Sequence, residues 1–185
     1  MTELKHHEIV VIGAGPGGYA AAFRAADLGK QVLLIDRDNE LGGVCLNRGC
    51  IPSKALLHIS KVMSETEHLS KMGVTYGKPS IDIDQVRTHK NKIVSQLNGG
   101  IAQMAKARKV DTIKGLATFK SNSELNIETE DGHISISFGK CIIAAGSTSA
   151  MIPGVPKDHP SILTSKTALD LVDIPEKLLV IGGGV

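Results

Sequence analysis

Six residues, Gly13-Ala14-Gly15-Pro16-Gly17-Gly18, restrict what this chain can fold into more than any other segment. They follow an apolar, β-branched run at 8–12 (EIVVI) and lead into an alanine-rich stretch of helical composition at 17–29. The first run reads as a strand buried on both faces of a parallel sheet. A second apolar run at 31–35 begins after Gly29-Lys30 and ends on Asp36, which completes a β-α-β unit. The G-x-G-x-x-G spacing at Gly13, Gly15 and Gly18 is a weak signal alone in a chain with 20 glycines among 185 residues. Its position between strand and helix, with Asp36 closing the next strand, makes it a dinucleotide-binding fingerprint. Glycines permit the tight turn and close backbone approach, the helix N-terminus faces a pyrophosphate, and a carboxylate takes ribose hydroxyls. A merely structural turn is the alternative reading. The spacing does not separate FAD from NAD.

A second constellation follows at once. Cys45 and Cys50 are separated by four residues and sit just before a helix expected to start at Pro52. Four residues can curl to bring two sulfurs into bonding distance, and a helix N-terminus favours the thiolate of Cys50. A structural zinc site would need further Cys or His ligands at short spacing, and only His58 is near, so no metal is expected. A redox disulfide is the favoured reading, against a metal site or inert buried thiols.

Downstream, 52–71 and 83–108 have helical composition, joined by a loop at 73–81 that carries two Gly and one Pro. From Val110 the texture changes to short alternating segments, VDTIKGLATFK, ELNIETE and HISISFG, split by Ser-Asn-Ser and Asp-Gly turns; these read as a small antiparallel meander. Residues 141–145 (CIIAA) read as a further buried strand. Pro153, Pro156 and Pro160 mark an extended crossing segment, and 178–181 as the start of one more strand before Gly182-Gly183-Gly184-Val185. Cys141 and the seven scattered histidines take packing or surface readings.

Composition narrows the classes without choosing one. A hydrophobic content of 42%, a charged content of 22% and a net charge of +2 describe an ordinary globular chain. Basic residues are dispersed and aromatic platforms are few, which argues against nucleic acid. The N-terminal residues lack a signal pattern, and the apolar runs fall far short of the roughly 20 residues that span a bilayer. A cytoplasmic location is therefore expected. Three cysteines are too few for a structural disulfide framework.

The segment GGVCLNRGCIPSKALL resembles the active-site segment of the flavin-dependent pyridine nucleotide–disulfide oxidoreductases. VIGAGPGGYAAAFRAADLGK, KGLATF, IIAAGS and LLVIGGGV resemble further segments of that family in the same order. Ile51-Pro52-Ser53-Lys54 is more similar to members that oxidise dihydrolipoamide than to glutathione-reducing members, whose form ends in Pro-Lys-Lys. Mercury-reducing members share the Pro-Ser-Lys ending, so that branch stays open, as does a catalytically inactive FAD-binding or structural fragment.

The resemblance implies an α/β fold: a Rossmann-like FAD-binding domain over 1–148 with a parallel sheet and an antiparallel meander excursion, then at 149–185 a crossover and the first strand of an NAD-binding domain. It implies FAD contacts from Gly13, Gly15, Gly18, Asp36, Gly43, Lys54 and Gly146, and backbone contact with the adenosine from Gly115 or Ala117. Gly182, Gly183 and Gly184 would open an NAD fingerprint. Cys45 would meet the substrate and Cys50 the flavin, with electrons passing from dihydrolipoamide through the disulfide to FAD and then as hydride to NAD. The implied partners are lipoyl groups of 2-oxo acid dehydrogenase complexes and a second copy in a homodimer. The catalytic base of such enzymes is expected beyond Val185, so no residue here is offered for that role, and residues 1–185 alone are expected to be inactive. Four departures stand out: Val44 replaces a common Thr, Ala145 the Thr of Ala-Thr-Gly, Asp36 a common Glu, and Arg48 a usual apolar residue.

Overall fold

The computed structural model describes residues 5–156 and 159–183. A six-stranded sheet in the order β3-β2-β1-β6-β5-β4 organises the chain. β1 (Lys5–Ile12) and β2 (Val32–Asp36) run parallel and are joined by α1 (Pro16–Asp27). Two helices follow in quick succession, α2 (Gly43–Arg48) and α3 (Cys50–Leu69), and a 3-10 turn at Ser70–Met72 leads to the loop before α4 (Ile83–Ala107). The N-terminus of α4 is fixed by Asp82, whose carboxylate accepts from the amides of Asp84 and Gln85. β3 (Asp111–Lys114), β4 (Leu116–Phe119), β5 (Glu124–Thr129) and β6 (Gly132–Ile143) complete the sheet.

Strand alternation sorts the core into two layers. Val11, Val32 and Leu34 face the helices, packing with Ala22 and Phe23 of α1, Leu46 of α2 and Ile101 of α4. Val10, Leu33 and Ile35 face the other way, against Leu125, Ile127, Ile136 and Phe138. Leu33, Ile35, Leu125, Ile127 and Ile136 are no more than 1% exposed, and each contributes about 1.5–3 kcal/mol by burial. The meander is thus one wall of the core rather than an appendage. The expected α/β architecture with a parallel sheet and an antiparallel excursion is the one observed.

Three expectations are corrected in detail. VDTIKGLATFK is not one meander strand: Gly115 divides it into β3, which pairs parallel with β2, and β4, which pairs antiparallel with β5. The reason is steric. A Cβ on Gly115 would lie 2.6 Å from Ile127 Cγ2 and 2.7 Å from the Glu128 carbonyl oxygen, so only glycine lets the chain turn from one sheet edge to the other here. Second, CIIAA is not a separate buried strand. It continues HISISFG as the single twelve-residue β6, antiparallel to β5 from Gly132 to Ser137 and parallel to β1 from Ile136 to Ile143, with Ile142 and Ile143 exposed. Third, no strand forms at 178–181. Leu178, Leu179, Val180 and Ile181 are 64–84% exposed; a strand exists only by pairing, and among the described residues no strand pairs with them.

The crossing segment returns to α4. Thr164 caps the single-turn α5 (Ser165–Ala168) with a reciprocal capping box. The Lys90 ammonium, 5% exposed, donates to the Leu169 carbonyl at 2.6 Å, and the Arg87 guanidinium donates to the Leu171 carbonyl at 2.9 Å.

The two glycine environments give opposite expectations for the same substitution. Gly115→Ala must overpack the corner and is expected to cost about 1–3 kcal/mol. Gly99→Ala, inside α4 with no atom within 4 Å of the added Cβ, is expected to gain up to about 1 kcal/mol. Urea unfolding midpoints at constant m-value measure both.

Candidate redox and dinucleotide site

The glycine-rich turn sits where β1 ends, between its neighbours β2 and β6. The Gly13 amide donates to the Ile35 carbonyl at 2.7 Å, and the Ala144 amide donates to the Ile12 carbonyl at 2.7 Å. Gly13 has φ +99°, and a Cβ there would lie 2.2 Å from the Ala144 carbonyl oxygen; one on Gly18 would lie 1.7 Å from the Gly13 carbonyl oxygen. These two glycines serve tight packing. Gly15 differs: nothing stands closer to its Cβ position than Gly43 Cα at 3.9 Å. It caps the twelve-residue α1 with no side-chain cap on the first-turn amides, which leaves an open cradle with the positive end of a helix dipole. That is the geometry a pyrophosphate needs.

The cysteine segment docks directly on this turn. The Gly42 amide donates to the Ala14 carbonyl at 2.8 Å, and a Cβ on Gly43 would lie 2.6 Å from Gly15 Cα. Both Gly42 and Gly43 have positive φ, +107° and +59°. The segment between the cysteines, expected as a curled connection, belongs to the helix α2, and its buried Leu46 anchors it to the helix-side core. Cys45 on α2 is disulfide-bonded to Cys50, with Cα atoms 4.7 Å apart. Cys50 is the first residue of the twenty-residue α3, which begins two residues earlier than expected at Pro52, so the cysteine itself occupies the helix N-terminus. Cys45 is half-buried and Cys50 exposed. Lys54 lies one helical turn beyond Cys50, exposed and without an ion pair among the described residues.

Asp36 is half-buried in a network that charge counting alone does not foresee. One carboxylate oxygen accepts from the Ala14 amide at 2.5 Å and the other from the Asp38 amide at 2.9 Å. A carboxylate has about four lone-pair sites, so acceptor capacity remains for a ribose. The Asp38 side chain pairs with Arg48 at the end of α2. Asn98 of α4, 8% exposed, donates to Glu40 at 2.6 Å and to Asn47 at 2.8 Å, tying α4 to the same segment. Sequence reasoning missed Asp38, Glu40, Asn47 and Asn98; a buried Asn on the apolar stripe beside Ile101 and Ala105 was the available signal. Asp36, Asp38, Asn98, Lys106 and Lys114 line a groove of about 690 Å³, within the range of small-molecule sites.

The remaining expected residues divide. The Gly115 amide donates to the Asp36 carbonyl at 2.7 Å, so Gly115 lies beside the groove. Ala117 packs with the meander-side core, on the edge strand β4. Gly146, with φ +69°, follows the Ala144–Ala145 pair that closes over Gly13, in open surroundings. Gly182 and Gly183 lie in the exposed irregular segment after 178, apart from this cluster, and Gly184 is outside the described residues. Cys141, opposite Val10 on β6, contacts the meander-side core, and burial pushes its thiol pKa up. Among the described residues no group of three or more His, Cys, Asp or Glu could hold a metal, and no helix is long and apolar enough to cross a membrane.

A glycine turn with an uncapped helix N-terminus, fused to a disulfide at a second helix N-terminus, defines a class, and the comparisons agree with it. The family model described as pyridine nucleotide-disulphide oxidoreductase matches residues 7–185, and the chain belongs to that family. It is 48% identical over 178 residues to the dihydrolipoyl dehydrogenase of Vibrio cholerae serotype O1, covering 96% of this chain and 38% of the relative. It is 49% identical over 179 residues to the dihydrolipoyl dehydrogenase of Haemophilus influenzae, covering 96% and 37%. The solved HOCl-induced flavoprotein disulfide reductase RclA from Escherichia coli superposes with a TM-score of 0.75 at 27% identity, over 91% of this chain and 35% of that one. The chain thus spans well under half the length of these relatives.

Thiol counting checks the disulfide. The folded, unreduced chain is expected to present one slowly reacting thiol, Cys141, and mild reduction to expose two further, fast-reacting thiols without loss of helical signal. Three thiols before reduction would remove the disulfide assignment.

Proposed function

We propose that this chain is the FAD- and disulfide-bearing part of an NAD-dependent dihydrolipoyl dehydrogenase, the component that reoxidises lipoyl groups of 2-oxo acid dehydrogenase complexes, acting in the cytoplasm as a homodimer. The contact of Gly43 on Gly15 carries this reading, because it holds a reducible disulfide one turn away from a dinucleotide cradle. The likeness in sequence to dihydrolipoyl dehydrogenases supports the substrate class.

The cradle fits FAD in three respects. The uncapped first turn of α1 and the open space at Gly15 suit its pyrophosphate, the spare acceptor capacity of Asp36 its ribose, and Lys54 a position beside Cys50. When bound, FAD supplies two-electron chemistry between thiols and a nicotinamide. The chain's own part is thiol exchange. A dihydrolipoyl thiolate attacks Cys45 Sγ, the Cys45–Cys50 bond breaks, and its electron pair leaves on Cys50 as a thiolate. The second lipoyl thiol then attacks the mixed disulfide, releasing the cyclic lipoyl disulfide and the Cys45 thiol. The α3 dipole makes Cys50 the better leaving group, and Lys54 adds positive charge one turn away. Gly182 to Gly184 are assigned to the opening of the NAD site, and Gly115 and Ala117 to backbone contacts with the adenosine.

The test uses the full-length protein with dihydrolipoamide and NAD, glutathione disulfide and NAD(P)H, and Hg(II) and NAD(P)H in separate assays. Turnover is expected with the first pair; turnover only with glutathione disulfide or Hg(II) would place the protein in another branch. Asp36→Ala removes a charge-assisted hydrogen bond of about 1.5–3 kcal/mol and should weaken FAD binding roughly 10- to 100-fold, measured by flavin fluorescence. Thermal unfolding of the apoprotein separates that loss from the loss of the Ala14 amide contact.

A further inference from the structure

Arg48 lies between the two cysteines, where the family resemblance leads one to expect an apolar residue, and the chemistry above does not use it. It closes α2, a helix of six residues, which is too short to hold itself. The front of α2 is fixed by the Gly43–Gly15 contact and its middle by Leu46. Its end is fixed by the ion pair of the Arg48 guanidinium with the Asp38 carboxylate, whose side chains are only 22% and 30% exposed. Asp38 in turn donates its amide to Asp36, and Asp36 accepts from Ala14 in the glycine turn. One continuous chain of hydrogen bonds therefore runs from the dinucleotide cradle to the helix that carries Cys45. Arg48 is also three residues beyond Cys45 on one helix, the spacing of same-face neighbours about 5–6 Å apart at Cβ.

We propose that Arg48 is a positioning residue that, balanced by Asp38, sets the thiol–disulfide equilibrium of Cys45 and Cys50. This rests on the reading of that pair as the redox disulfide. Reduction adds two electrons and two protons to the disulfide, or two electrons and one proton where Cys50 remains a thiolate. The reduced form is therefore the more negative, and it responds to nearby charge while the neutral disulfide does not. With Arg48 and Asp38 both present the local charge is balanced. Removing Arg48 leaves a half-buried carboxylate facing the redox helix and disfavours the thiolate. Removing the Asp38 charge leaves a half-buried guanidinium and favours it. Charges on the neighbouring elements are Lys54, four residues after Cys50 on α3, Glu40 and Lys90, which line a pocket with Asn47 and Pro52, and Asp36, which lines a groove with Asp38; all are unchanged by these substitutions.

The experiment equilibrates the chain with mixtures of dithiothreitol and its cyclic disulfide, the two-electron donor and acceptor, and counts oxidised and reduced protein by alkylation and mass. Arg48→Met is expected to shift the equilibrium constant three- to tenfold toward the disulfide, as one uncompensated charge at this range does. At 29.6 mV per decade that is about 15–30 mV. Asp38→Asn is expected to shift it the opposite way, the double variant to return near the parent, and Arg48→Lys to stay close to it. The pH midpoint for alkylation of reduced Cys50 should rise in Arg48→Met and fall in Asp38→Asn. An anchor without electrostatic effect would lower the thermal midpoint in both single variants and leave both equilibria unchanged. That result, or shifts of the same sign in both, overturns the assignment to Arg48. A parent chain whose cysteines fail to cycle at all overturns the functional reading beneath it.

Discussion

Two glycines in backbone contact hold the site together. Gly43 meets Gly15 so closely that a methyl group on Gly43 would fall 2.6 Å from Gly15 Cα, and the neighbouring Gly42 amide bonds the Ala14 carbonyl. No pair of larger residues could bring a cysteine-bearing helix this near the turn at a strand end. The cost is conformational: Gly42 and Gly43 both occupy positive φ, where other residues are strained. Under the proposed function the return is chemical, because thiols that exchange electrons with a bound dinucleotide must lie against it. The dependence runs outward too. α2 is placed by this contact, α3 starts where α2 ends, and α4 packs on both.

The sheet provides the rigid floor for that contact. β1 lies between β2 and β6, and the amides of Gly13 and Ala144 bond the Ile35 carbonyl of β2 and the Ile12 carbonyl of β1. The turn is thereby set on three strands and not on a free loop. β6 serves twice, as a parallel neighbour of β1 and as an antiparallel partner of β5, so the meander shares its hydrogen bonds with the strand that closes the site. Gly115 completes the enclosure, linking opposite edges of the strand order through one residue and bonding the end of β2 beside Asp36.

Legibility followed the range of the interaction. The β-α-β unit, the three helices at 17–29, 52–71 and 83–108, and the cysteine pair were readable because periodicity, caps and glycine turns are local. The helix α2 was hidden because Gly-Val-Cys-Leu-Asn-Arg has no helical period, and docking on Gly15 forms it. The division at Gly115 was hidden because its cause is Ile127, far along the chain. Residues 178–181 had the composition of a strand but lack the partner that would make them one, since β-propensity measures fit to a neighbour. The polar chain from Ala14 to Arg48 could not be read at all, because its members are ordinary surface residue types until the fold brings them together.

That polar chain also gives a physical sense to Asp36 in place of the commoner Glu. A Glu at the end of β2 would carry one more methylene and extend further from the strand. The shorter Asp accepts from the Ala14 amide at 2.5 Å and from the Asp38 amide two residues on, fastening β2 to the glycine turn before any ligand arrives. It thereby also orients the backbone of residue 38, whose carboxylate reaches Arg48. Shortening at position 36 and charge at positions 38 and 48 thus form one arrangement. Hydrogen bonds to a charged acceptor contribute about 1.5–3 kcal/mol each, more than exposed ion pairs do. The internal bonds of Asp36 therefore outweigh any surface pair in keeping cradle and disulfide in register. Under the proposed function the same carboxylate both braces the turn and receives the ribose, so preorganisation and ligand contact draw on one side chain.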